Sequence, residues 1–127
     1  MNREILRRYV FLMGAATVVM FAVWAFTRQA VETPLGDYEV RQGDIFLSDE
    51  KYDGALERFS AALVIMPDHR GALMGRGIAY MQSGRIAEAE AEFTYLIGFL
   101  IKSLEPDDLT GIGTLASAYT NRGILYD

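Results

Sequence analysis

Residues 71–93 read GALMGRGIAYMQSGRIAEAEAEF, and 34 residues earlier positions 37–59 read DYEVRQGDIFLSDEKYDGALERF. Few letters coincide, but the physically decisive ones do. Gly43 matches Gly77, Phe46 matches Tyr80, Ala55 matches Ala89 and Phe59 matches Phe93. Periods of roughly 20–50 residues mark stacked supersecondary units, each too small to bury its own apolar face. Within the first unit Tyr52, Ala55, Leu56, Phe59, Ala62 and Leu63 recur at three- and four-residue spacing, which is one buried helix face. A break at SDEK (48–51) splits the unit into two helices. Pro67 closes it, because proline lacks an amide hydrogen and clashes with the preceding turn. Gly43, Gly77, Ala55 and Ala89 are expected to let paired helices approach. Phe46, Phe59, Tyr80 and Phe93 are expected to fill the space between units.

This pattern resembles the tetratricopeptide repeat family. The family's small residue and aromatic in the first helix correspond to Gly43 with Phe46 and Gly77 with Tyr80. Its alanine and aromatic in the second helix correspond to Ala55 with Phe59 and Ala89 with Phe93, and its closing proline to Pro67. Gln42, Arg76 and Arg122 stand where the family often has a large apolar residue. The resemblance covers residues 36–127 and implies an all-α solenoid of antiparallel helix pairs. It also implies peptide or protein binding on the concave surface of the first helices, without catalysis or cofactor. That surface would be lined by Val40, Asp44, Leu47, Met74, Ile78, Met81, Asn121 and Ile124. The Lys/Asn clamp by which related co-chaperones hold carboxylate tails is absent.

The period then slips. Pro67 to Pro106 is 39 residues, and Gly77 to Gly123 is 46. Antiparallel partners extend together only at a shared end, so the slip predicts a longer second helix in repeat two and a longer first helix in repeat three. Repeat one spans 36–69, repeat two 70–106, and the first helix of repeat three about 107–127. The last helix is expected near Asp107–Tyr126, with Leu109, Ile112, Ala116, Tyr119 and Gly123 at helical spacing. Asp107 and Asp108 make an acidic first turn that suits the helix dipole. With no second helix for repeat three in the sequence, either a partner covers this end or the chain continues.

Charge divides the chain in two. Residues 1–28 carry four Arg against one Glu, while residues 29–127 carry eight Lys/Arg against sixteen Asp/Glu. An acidic body of net −8 does not suit nucleic acid, whose phosphates need a basic face. Tyr9–Thr27 is nineteen residues without charge or proline, about 28 Å as a helix, close to the hydrocarbon thickness of a bilayer. It is expected to be a single membrane span. Residues 1–8 would then be cytoplasmic, since Arg3, Arg7 and Arg8 outweigh Arg28, and residues 28–35 form a linker. This places the repeat domain in the periplasm of a bacterial inner membrane. The competing reading is a cleaved signal peptide with a weak site at Val23–Ala25.

No catalytic constellation emerges. There is no Cys and one His, His69, expected as an exposed loop residue without metal-ligating companions. EAEAE (88–92) is expected as a solvated face, and GRGIAY lacks the strand and the Lys-Ser/Thr ending of a phosphate loop. In FTYLIGFLIKSL (93–104) Phe93, Leu96, Ile97, Leu100 and Leu104 form a core stripe. Tyr95, Phe99 and Ile101 are left over. Either Leu109, Ile112 and Leu115 cover them, or they form a patch that docks a partner or a second copy. The functional expectation is a membrane-anchored protein–protein interaction module: a scaffold, assembly factor or accessory subunit of a membrane complex. A periplasmic, chaperone-like peptide-binding factor linked to export is the alternative.

Overall fold

The computed structural model describes residues 2–29 and 33–127, so three positions of the expected linker, 30–32, lie outside the described residues. Six α-helices are present among them: α1 (Arg3–Gln29), α2 (Asp37–Ser48), α3 (Tyr52–Ile65), α4 (Arg70–Gln82), α5 (Ile86–Ser103) and α6 (Leu109–Ile124). The chain divides into two compact units between Thr33 and Pro34.

The first unit is α1, a helix long and apolar enough to cross a membrane. Its apolar side chains are exposed, Phe11 and Phe26 at 76%. At its carboxyl end the Arg28 guanidinium lies 4.7 Å over the Trp24 ring, which itself leans on Phe21. The first pairing is a cation against a ring and the second a tilted aromatic pair, and both draw these side chains together at one end of the helix.

In the second unit α2 packs on α3 and α4 on α5, while α3–α4 and α5–α6 join successive pairs. The turns between paired helices repeat to the atom. Lys51 and Arg85 each donate a backbone N–H to the carbonyl five residues back, at 2.8 Å, from residues 34 apart. The residues before them, Glu50 and Gly84, both take left-handed backbone. This is the helix-ending motif in which a left-handed residue turns the chain back onto its own last carbonyls.

The repeated glycines work as sockets. A Cβ on Gly43 would come within 2.6 Å of the Phe59 ring, and one on Gly77 within 2.6 Å of the Phe93 ring. Each aromatic therefore seats on the glycine sixteen positions before it, in its own unit. Phe59 also fills the hollow over Gly75 of the next unit. It thus locks one pair internally and to its neighbour, where filling between units alone was expected. Phe59, Phe93, Ala55 and Ala89 have no exposed surface. Burying a phenylalanine whole is worth about 1.5–3 kcal/mol relative to leaving it in water.

α5 has 18 residues against 14 in α3, and α6 has 16 against 12 in α2 and 13 in α4. α6 starts at Leu109 because the Asp108 carboxylate accepts the Gly111 N–H at 2.7 Å and so caps the first turn. The core stripe of α5 is buried at Phe93, Leu96, Ile97 and Leu100, with Leu104 half-buried.

Candidate functional site

α2, α4 and α6 are the first helices of three successive units, and they share one side of the domain. Between them runs an open cleft of about 500 Å³. α2 contributes Val40, Asp44 and Leu47, which its 3.6-residue turn sets on one face. From α4 come Arg70, Gly71, Met74, Gly75 and Ile78. The α6 wall is Thr110, Gly113, Thr114 and Ser117. Thr114 and Ser117 donate their hydroxyls back to the carbonyls four residues earlier, at 2.9 and 3.0 Å. Their donors are therefore spent, and the α6 wall presents small groups and acceptor lone pairs.

Two ionisable groups border the cleft. Arg70 is engaged by Asp108, whose carboxyl is held below the usual range first by that guanidinium and then by the Gly111 N–H. Asp44 makes no ion pair among the described residues, and burial pushes its carboxyl up. The cleft thus offers a small-residue floor, apolar flanks and one uncompensated acid.

Of the eight residues expected to line the groove, Val40, Asp44, Leu47, Met74 and Ile78 do so. Met81 is half-buried away from the cleft, and Ile124 is 54% exposed at the end of α6. Asn121 instead donates its side-chain amide to the Met74 sulfur at 3.6 Å. Counting the register back from Gly123 passes over the turns added at the amino end of α6, and those turns build the wall. Met74 also packs against the core formed by Leu73, Leu96, Leu100 and their neighbours.

The other singled-out residues are placed as follows. Tyr95 and Ile101 are 54% and 59% exposed, whereas Phe99 packs against the core. Tyr95 and Ile101 stand about 120° apart on α5, so with Phe99 turned inward the three do not form one continuous face. Leu115 helps cover α5, while Leu109 is 80% exposed.

His69 is not a free loop residue. It is the residue preceding α4, and its Nδ1 accepts the Ala72 N–H at 3.3 Å while Nε2 lies 2.9 Å from Asp37 Oδ1. With Nδ1 accepting, the proton sits on Nε2 and is donated to Asp37, clasping the start of α2 to the start of α4. Its side chain is 11% exposed. Histidine is outside the usual capping set of Ser, Thr, Asp and Asn, so its position before an apolar run was the one sequence cue.

The acidic run EAEAE is less solvated than expected. Glu92 pairs with Arg76 at 2.6 Å across α4 and α5, and Arg76 reaches Ser60 at 3.4 Å on α3. Glu90 accepts the Tyr126 hydroxyl, leaving Glu88 with a surface pairing to Arg85. Arg76, polar where the family often has a large apolar side chain, spans three helices.

A tetratricopeptide repeat family model matches residues 46–94, from the end of α2 through the first half of α5. No curated protein and no solved structure matches the chain. The matched span holds Gly77, Tyr80, Ala89 and Phe93 as well as both left-handed turns. Period, interlocking helix pairs and matched span agree: the helical body of this chain is similar to tetratricopeptide repeats across residues 46–94.

Proposed function

We propose that this chain is a membrane-anchored protein–protein interaction module, serving as scaffold, assembly factor or accessory subunit of a membrane complex. The observation that carries the reading is the cleft across α2, α4 and α6. Gly113 leaves the α6 wall open to a bound backbone, Met74 and Ile78 supply apolar contact, and Asp44 awaits a basic group. Such a surface suits an amphipathic helix or an adaptable segment with a lysine or arginine. The exposed apolar α1, with Arg3, Arg7 and Arg8 in its first two turns, supports the anchor. In this reading the amino terminus is cytoplasmic and the repeat domain lies in the periplasm of a bacterial inner membrane.

Ile78→Asp is the diagnostic change, because Ile78 lines the cleft and stands outside both core clusters. Partner recovery from solubilised native membranes should fall roughly tenfold with helical content kept. Unchanged recovery, or unfolding in step with the loss, would remove the cleft from consideration. Co-migrating stoichiometric subunits support a stable complex, whereas a broad set of substoichiometric peptides supports the chaperone-like alternative.

A further inference from the structure

The polar atoms of the cleft divide by what they can still do. Arg70 opens α4 and Thr110 stands second in α6, so hydrogen-bond donors gather at the amino ends of these helices. Farther along, Thr114 and Ser117 have given their hydroxyl hydrogens to carbonyls of their own helix, and an ionised Asp44 only accepts. No base of the chain answers Asp44. Arg70 is taken by Asp108, and Arg41, the nearest base along α2, makes no ion pair among the described residues. Apolar side chains surround the acid. Val40 and Leu47 lie one turn before and one turn after it on α2. Ile78 stands 34 residues after Asp44 and Met74 34 after Val40, so the repeat sets apolar groups of α4 at both levels.

We infer that the cleft takes a segment whose lysine or arginine is set among apolar residues, and that Asp44 selects it. The inference rests on the proposed reading of the cleft as the binding surface and names what that surface chooses. Asp44 is exposed, so water solvates its charge until an occupant arrives. Any segment lying against Val40, Met74 and Ile78 strips that water away. A neutral apolar segment would leave a desolvated carboxylate without a partner, and an acidic one would add like-charge repulsion. A cation turns the same burial into a charge-assisted hydrogen bond. Lysine and arginine suit the surroundings as well, because their aliphatic stems lie along apolar surface while the charged head reaches on. Burial already pushes the Asp44 carboxyl up, and a docked cation would draw it back down. The body's net −8 attracts basic segments from a distance without choosing where they bind. That choice falls to Asp44, the one acid in the cleft lining.

A phage-displayed random library of peptides about 16 residues long tests this, panned on the full chain in lipid vesicles after removal of phage that bind empty vesicles. Recovered peptides should carry lysine and arginine at least about threefold above the unpanned library, beside apolar residues. Panning on Asp44→Asn should abolish that excess, whereas Glu57→Gln, which removes an exposed acid from α3, should keep it. Asp44→Lys should favour aspartate and glutamate instead. For a peptide recovered on the parent, Asp44→Asn and replacement of the peptide's base by norleucine should each weaken binding about tenfold, and both together no further. An equal basic excess on Asp44→Asn, or no peptide recovered above empty vesicles, overturns the inference. Peptides lost on Ile78→Asp but indifferent to Asp44→Asn overturn it and leave the reading of the cleft standing. Peptides indifferent to both changes remove the cleft itself.

Discussion

Glu50 and Gly84 occupy the same step of the repeat, and both take positive φ, 59° and 78°. Glycine accepts this region freely, whereas a residue with a Cβ is strained there by about 1–2 kcal/mol. The strain at Glu50 is held by the turn, since the neighbouring Lys51 N–H is committed to the Phe46 carbonyl. Replacing Glu50 with the residue its repeat counterpart already uses should stabilise the domain. Glu50→Gly is expected to raise the unfolding free energy by about 1 kcal/mol, less the backbone entropy that glycine loses on folding. Urea denaturation of the two proteins measures it, and a lower midpoint for the variant would mean the turn is not strained. The aromatic sockets follow the opposite rule. Phe59 is fixed between Gly43 and Gly75, so its ring cannot yield to an added methyl at either glycine.

At the level of elements, α6 is held at its amino end by one residue. Asp108 caps the helix through Gly111 and pairs with Arg70 of α4, and these contacts depress its carboxyl pKa below the ordinary 3.8. A depressed acid contributes stability that is fully present above its unfolded value and is lost as pH falls through its folded value. Asp108→Asn keeps an acceptor for the Gly111 N–H but removes the charge facing Arg70. The variant should therefore be less stable than the parent at neutral pH, and the two should converge once the pH is well below 3.8. A gap in urea midpoints that ignored pH would show that the ion pair contributes nothing. Much of this arrangement could be read beforehand. The proline and glycine spacings placed the added turns, and the three- and four-residue spacing placed the core stripe of α5. The α6 stripe was equally legible as a face, but periodicity reports that a face is apolar and not what covers it. The His69 clasp and the Arg70–Asp108 pair join residues 32 and 38 apart through side-chain reach, which leaves no periodic trace.

For the whole molecule, the proposal of an anchor turns on the two ends of α1. Three arginines, 3, 7 and 8, precede its apolar stretch and one, Arg28, follows it, already drawn over the Trp24 ring. Cationic residues resist transfer across a bilayer, so on this proposal the richer end is expected to stay in the cytoplasm and the acidic repeat domain to emerge on the far side. At 27 residues α1 is about 40 Å long, enough to cross the roughly 30 Å hydrocarbon layer with its arginines at the headgroups. A phosphatase that folds only outside the cytoplasm, fused after Asp127, should be active, and a cytoplasmic reporter at the same position silent. Reversed signals would contradict the orientation. Active phosphatase alone does not separate a retained helix from a removed leader, since both deliver the domain to the same side. Amino-terminal sequencing of the membrane fraction does, because an anchor keeps Arg3 and a leader loses residues 1–25. Reversing the charge bias supplies the mechanism test. With Arg3, Arg7 and Arg8 replaced by Asn and two lysines added after Arg28, the phosphatase should lose activity as the helix inserts the other way.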